Sequence, residues 1–301
     1  MKTSYCTIRN WKKFNVQCSS RSLKNDESNK GVGVMNQEKL NQYLQRIEMG
    51  KGGLAEEALL KKLHRQHTYY VPFVNLDQLA GESISLQEDD LYEKIVKKER
   101  GGYCFELNGA FKKLLEALGF AVKTHMARVY IGELGYSPKT HQVNTVQIGN
   151  QFWLADVGFG GNGPQEAVLL KEGKEQVQSQ GIYKVTKDAV HGWILHLKKE
   201  KDFQPIYAFT MEEYLSGDFD VANYFTATHP DSLFTQALVC TKTTEEGRVT
   251  LFNRQIKRYR KNGMEEQQVK EIAELKKILR QEFFISEGEI DAKEEMLEKV
   301  L

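Results

Sequence analysis

HQVNTVQIGNQFWLADV, residues 141 to 157, is the stretch on which the fold turns. Apolar and polar side chains alternate on both sides of Gly149-Asn150, a two-residue turn signal, and period-two alternation is what a strand with one buried face requires. A symmetric turn sets Val143 opposite Asp156 and His141 opposite Gly158. His141 and Asp156 then share one face as diagonal neighbours, about 7 to 8 Å apart at Cα, within reach for an imidazole and a carboxylate.

Strand signals continue on either side of this hairpin. AVKTHMARVYIG begins at Ala121, and GIYKVTKD, HGWILHLK and FQPIYAFT follow at 181, 191 and 203. Before them the period changes. Leu40, Tyr43, Leu44 and Ile47 fall at i, i+3, i+4 and i+7, one face of a helix. Ala55, Leu59, Leu60 and Leu63 mark a second helix, Leu91, Tyr92, Ile95 and Val96 a third, and Leu107 to Leu118 a fourth that stops at Gly119. Towards the end of the chain DFDVANYF reads as irregular and RVTLFNRQIKRY as a strand. A charged helix is expected over about Glu265 to Phe283, with a short helix at the end. The class is α+β, with a helical part at 35–120, a strand-rich part at 121–222 and a mixed α/β part at 223–301. Residues 1–34 are polar, turn-rich and without period, and are expected to be a disordered tail or a mis-assigned start that precedes a true initiator at Met35.

The chain of 301 residues carries 42 Lys and Arg against 41 Asp and Glu. No global basic field exists to favour nucleic acid or an anionic membrane. The balance is a composite, because seven basic and two acidic side chains sit in the first 34 residues and leave the remainder mildly acidic. Four cysteines, at 6, 18, 104 and 240, are too scattered for a disulfide scaffold. With no apolar run of about 18 residues and no signal-peptide core, a cytoplasmic location is expected.

The chemistry concentrates in RGGYCFELN, residues 100 to 108. Cys104 opens the fourth helix, where free N–H groups and the positive end of the dipole favour a thiolate. Gly101 and Gly102 let the backbone bend beside the sulfur and a substrate come close. Each residue has a plainer explanation when taken singly: Cys104 as a buried neighbour of Leu107 and Phe111, His141 as a surface strand residue, Asp156 as a turn former. Together, Cys104, His141 and Asp156 fit nucleophile, base and orienting group.

These strings resemble the arylamine N-acetyltransferases of bacterial type. RGGYCFELN matches that family's Arg-Gly-Gly-x-Cys-x-x-x-Asn motif, and His141 with Asp156 in LADVGFG matches its histidine and aspartate. YLQRIE, VPFVNLDQL and NYFTATHPDSLFTQALV extend the likeness over nearly everything from Met35 onward. The resemblance implies a helical bundle, a β-barrel and an α/β lid around a papain-like Cys-His-Asp core. It also implies ping-pong transfer of acetyl from acetyl-CoA, through a thioester on Cys104, to an arylamine, arylhydrazine or N-hydroxyarylamine. Acetyl-CoA would be a co-substrate, with no tightly bound cofactor. Phe73, Phe159 and Tyr103 are the expected substrate contacts. Gly102, Gly160, Thr226, Thr228 and Ser232 are the expected cofactor contacts, and Arg100 and Asn108 the structural supports. One position departs from the family: Val74 stands where its Pro-Phe-Glu-Asn-Leu string carries the glutamate that faces the RGG arginine. Arg100 therefore needs another acceptor, for which Asp77 and Glu106 are the candidates.

Other signals are weaker. Gly158-Phe-Gly160-Gly-Asn-Gly163 satisfies G-x-G-x-x-G in form, but Pro164 follows and no long helix or suitably placed acid completes a dinucleotide site. His64 with His67, and His191 with His196, lack the carboxylate or cysteine partners of a zinc site, so no metal is expected. The basic run Asn253 to Asn262 is expected to be a solvated strand and Cys240 a structural residue. Two rivals remain open: a papain-like protease or transglutaminase, which also arranges Cys, His and Asp or Asn in this order, and a non-catalytic binding module of the same fold.

Overall fold

A computed structural model describes residues 35–50 and 53–301. The expectation for residues 1–34 lies outside the described residues. The helical part holds α1 (Gln37–Arg46), α2 (Glu57–Tyr70), α3 (Leu76–Leu79), α4 (Glu88–Tyr92), a π-helical turn (Glu93–Lys97) and α5 (Cys104–Ala117). Their apolar faces close on one core that includes Tyr43, Ile47, Leu60, Leu63, Phe111 and Leu114. α5 ends where Gly119 adopts φ +86°, a left-handed conformation that glycine takes without steric cost.

Between Phe73–Val74 (β1) and the C-terminal segment lie eight antiparallel strands. These are β2 (Ala121–Tyr130), β3 (Tyr136–Ile148), β4 (Gln151–Ala155), β5 (Val168–Leu169), β6 (Gln176–Gln178), β7 (Gly181–Asp188), β8 (Gly192–Lys199) and β9 (Asp202–Phe209). Their order, β5-β4-β3-β2-β9-β8-β7-β6, curls the sheet into a nearly closed barrel. At the seam, side chains replace the missing ladder. Gln176 accepts from Leu169 N–H at 2.8 Å and donates to Leu169 C=O at 2.9 Å, while Gln178 bonds the backbone of Gln165 and Glu166. The β3–β4 register pairs Ile148 with Gln151 and Asn144 with Ala155, as a symmetric two-residue turn requires, and the ladder stops before Asp156.

After the barrel come α6 (Ser216–Thr228), α7 (Leu233–Gln236), β10 (Val239–Thr243), β11 (Gly247–Phe252), β12 (Gln255–Arg260), β13 (Gly263–Gln268), α8 (Ile272–Phe283), α9 (Glu287–Asp291) and α10 (Glu294–Glu298). β1 joins this second sheet, in the order β1-β10-β11-β12-β13, so the helical part lends a strand to the far end of the chain. α8 packs on the sheet through Leu275, Ile278, Leu279 and Phe283.

Three expectations are corrected here. DFDVANYF is the body of α6, which runs across the expected 222/223 boundary. Its periodicity is inverted: small and polar Ala222, Asn223, Thr226 and Ala227 are buried while Val221 and Tyr224 are exposed. RVTLFNRQIKRY is a hairpin, turning at Asn253 with φ +50°. Glu265 to Gln268 belong to β13, where pairing with β12, including Lys257 to Glu266 at 3.3 Å, overrides local helix preference. The basic run that lies on β12 is partly paired, with Arg258 on Glu282 at 2.9 Å. Cys240 is buried on β10.

Candidate active site

Cys104 is the first residue of α5 and is 3% exposed. Its N–H belongs to the helix turn that lacks intrahelical acceptors. The helix start is fixed by Glu106, whose carboxylate accepts from the Tyr103 N–H at 3.1 Å. Gly101 and Gly102 are required for close approach more than for bending. A Cβ at Gly101 would lie 2.4 Å from the Pro72 carbonyl oxygen, and Gly102 pairs with Phe73 in a strand-like bridge.

His141 sits on β3 and Asp156 just past the end of β4. Both are buried, with His141 Nε2 2.8 Å from Asp156 Oδ2. The other ring nitrogen is left for the sulfur, which itself lies 3.9 Å from the carbonyl oxygen of Thr140, the residue before His141. Burial alone would push the imidazole down. The adjoining Asp156 charge, its hydrogen bond and the Cys104 contact outweigh that and push His141 up to about 10. Burial likewise opposes the Asp156 charge, yet the imidazole, the Asn108 amide and the Gly158 N–H hold the carboxyl below its ordinary range. Asn108 Nδ2 donates to Asp156 Oδ1 at 2.8 Å and to the Gln142 carbonyl at 2.6 Å, while its Oδ1 accepts from Val157 N–H at 3.0 Å. A single side chain thus ties the α5 nucleophile to both ends of the β3–β4 unit.

Cys104 and His141 open into a cavity of about 380 Å³, lined largely by apolar groups. Phe73, Phe159 and Gly160 line it. Phe159 lies edge-on to His141 with ring centroids 5.3 Å apart. Sequence reasoning missed Phe234, Val129 and Thr241, which also line it, and Tyr207, which packs against both His141 and Phe159 at 5.2 Å. Val129, Thr241 and Tyr207 carry no local signal and reach the cysteine through the closing of the barrel and the second sheet, while Phe234 comes from α7.

A protein-family model described as N-acetyltransferase matches residues 58–290. The arylamine N-acetyltransferase of Escherichia coli K12 is 32% identical over 258 residues, covering 84% of this chain and 90% of that protein. That of Salmonella typhimurium, named also as an N-hydroxyarylamine O-acetyltransferase, is 31% identical over 254 residues, covering 83% of this chain and 90% of its own.

The chain belongs to the arylamine N-acetyltransferase family. The solved Salmonella typhimurium enzyme superposes with TM-score 0.81 at 30% identity, over 87% of this chain and 98% of that one. The Mycobacterium marinum arylamine N-acetyltransferase, solved in complex with CoA, gives 0.80 at 29% identity, over 87% of this chain and 99% of that one. The relatives' names make the protein an acyltransferase.

Several residues singled out from the resemblance do other work in this member of the arylamine N-acetyltransferase family. Tyr103 does not line the cavity; it is fully buried and its hydroxyl donates to Asn223 of α6. Gly102 lies off the cavity too, its N–H on the Pro72 carbonyl and its C=O on Val74 N–H. Thr226 and Thr228 hydroxyls donate to the Ala222 and Tyr224 carbonyls one turn back, and Ser232 caps α7 while donating to the Thr226 carbonyl at 2.5 Å. Hydroxyls spent on their own backbone are poor cofactor ligands.

Of the two acceptors expected for Arg100, Asp77 takes it at 2.5 Å, and Glu289 of α9 is a second partner at 2.5 Å. Glu106 is engaged by Lys94 at 2.5 Å instead. His64 and His67 are buried, bonding the Gln165 carbonyl and the Tyr43 hydroxyl, and burial pushes both down. His191 lies in the turn before β8, so it does not share a strand face with His196. Among the described residues no group of three or more His, Cys, Asp or Glu is placed to hold a metal, and none forms a helix long and apolar enough to cross a membrane.

Proposed function

We propose that this protein transfers acetyl from acetyl-CoA to an arylamine, arylhydrazine or N-hydroxyarylamine by a ping-pong reaction through an acetyl-cysteine at Cys104. The observation that carries this is the buried His141–Asp156 pair at 2.8 Å beside a cysteine that opens a helix into an apolar cavity. Asp156 holds the ring so that the imidazolium faces the sulfur and stabilises a thiolate. That thiolate attacks the thioester carbonyl of acetyl-CoA; its C–S bond to CoA breaks, CoA leaves as a thiolate and takes a proton from His141. First-turn N–H groups of α5 are the donors placed to meet the tetrahedral oxyanion. CoA then departs and the amine enters against Phe73, Phe159 and Phe234. Its nitrogen attacks the acetyl-cysteine carbonyl, neutral His141 accepts the amine proton, and Cys104 is regenerated as a thiolate beside the imidazolium.

Incubation with acetyl-CoA in the absence of amine, followed by intact mass measurement and peptide mapping, should show one acetyl group on Cys104. Later addition of an arylamine should discharge it in a single turnover. Transfer to the amine without any acetylated enzyme, or an unmodified Cys104 after exposure to the donor, would overturn the scheme.

A further inference from the structure

Among the described residues a second cavity lies apart from the one that holds Cys104. A space of about 500 Å³ opens on the other side of α5 and β3, walled by Leu86, Leu91, Phe105, Tyr214 and Phe219 and reaching Gln142. Successive residues of a strand point to opposite faces, so β3 presents His141 to the catalytic cavity and Gln142 to this one. Gln142 is 4% exposed, and among the described residues its side-chain amide makes no hydrogen bond. Only its backbone carbonyl is engaged, by Asn108. Its Nε2 lies 3.8 Å from where a Cβ on Gly109, which also lines the cavity, would stand. The amide is reached from the cavity, where a ligand can complete its hydrogen bonds.

The lining limits what that ligand is. Leu86, Leu91, Tyr214 and Phe219 give a flat ring one apolar wall, and most of the remaining lining is polar. At the rim Lys113 is paired with Glu88 at 3.0 Å and Lys112 with Glu116 at 3.8 Å, which leaves Asp220 and a mouth that does not attract an anion. The Gln142 amide offers one donor and one acceptor side by side, which a primary carboxamide matches in a cyclic pair. We infer that this cavity is a second binding site, for a small, neutral aromatic carboxamide, separate from the catalytic cavity.

The probe is benzamide, titrated into the full chain after Cys104 has been alkylated with iodoacetamide, with binding followed by saturation-transfer NMR. Because the catalytic cavity is blocked and no acetyl transfer is needed, the result is independent of the proposed reaction. Saturable binding is expected, weakened about tenfold by Gln142→Met, which removes both hydrogen bonds and keeps the side chain's length. Ser216→Trp, at the exposed mouth, should abolish it while leaving the floor intact, and decides the matter if Gln142→Met does not fold. Absence of saturable binding, its loss on alkylation of Cys104, or indifference to both substitutions would overturn the inference.

Discussion

Asp156 keeps its charge at a depth where a lone carboxyl would protonate, because three groups converge on it: the His141 ring, the Asn108 amide and the Gly158 N–H. The linkage has two signs. His141 is raised on folding, so its contribution to stability is complete below its unfolded value of about 6.5 and fades as pH rises through about 10. Asp156 is depressed, so its contribution is present above about 3.8 and is lost as pH falls through its lower folded value. Between these limits the imidazolium persists beside the sulfur. The His141 ring should therefore titrate, as followed by NMR, only as pH approaches about 10, with no transition near 6.5. Asp156→Asn should bring that transition down towards the ordinary imidazole range and lower arylamine acetylation by about 10³ to 10⁴-fold, the order seen when the orienting charge of a triad is neutralised. A variant that kept near-normal turnover would remove Asp156 from the role given to it.

At the scale of elements, the α5 start and the β4 end are held in contact by a glycine. A Cβ at Gly158 would lie 2.8 Å from Asn108 Nδ2 and from Cys104 Cα, and 3.0 Å from the Cys104 carbonyl oxygen, two of these being backbone atoms that cannot swing away. Gly158→Ala should therefore push β4 off α5, at a cost of about 1 to 3 kcal/mol. The melting temperature should fall by about 2 to 8 °C, and the rate of Cys104 acetylation by more than tenfold, about 1.4 kcal/mol of lost alignment. An alanine variant with unchanged acetylation would show that the contact has no bearing on the nucleophile. The elements legible in the sequence were those with a strong period or an unambiguous turn: α1, α2, α5 and the β3–β4 hairpin, whose register follows from Gly149-Asn150 alone. α6 escaped because it buries alanine and asparagine and exposes tyrosine. β13 escaped because its six residues look helical until β12 is beside them. For the same reason Cys104, His141 and Asp156 could be read from motif and parity, whereas Phe234 and Tyr207, contributed by α7 and β9, could not.

Over the whole molecule, the place of Val74 connects the catalytic loop to the last helices. With no carboxylate at 74, Arg100 is held by Asp77 and by Glu289, and Lys293 reaches the same Asp77 at 3.2 Å while also pairing with Glu82. Lys94 adds Asp77 at 2.8 Å and Glu106 at 2.5 Å. Burial opposes the Asp77 charge, but Lys94 and Arg100 hold its carboxyl far below the ordinary range. These charges are mostly buried, with side-chain exposures of 23% for Arg100, 13% for Glu289 and 7% for Asp77, so breaking one pair costs more than a surface bridge would. Glu289→Gln leaves Arg100 with Asp77 alone, a loss of about 1 to 3 kcal/mol, and should lower the melting temperature while exposing α9 and α10 to faster amide exchange. Val74 lies against the RGG loop, its Cγ2 3.0 Å from where a Cβ on Gly101 would stand. The resemblance implies that a glutamate there would face Arg100. Val74→Glu should consequently cost stability in the native background, where it adds a fifth acid to a cluster that already sets four acids against three cations, and recover stability when combined with Glu289→Gln. The sign reversal in that double-mutant cycle, read by urea denaturation, is the decisive measurement. Equal effects of Val74→Glu in both backgrounds would mean that Glu289 does not stand in for the missing carboxylate.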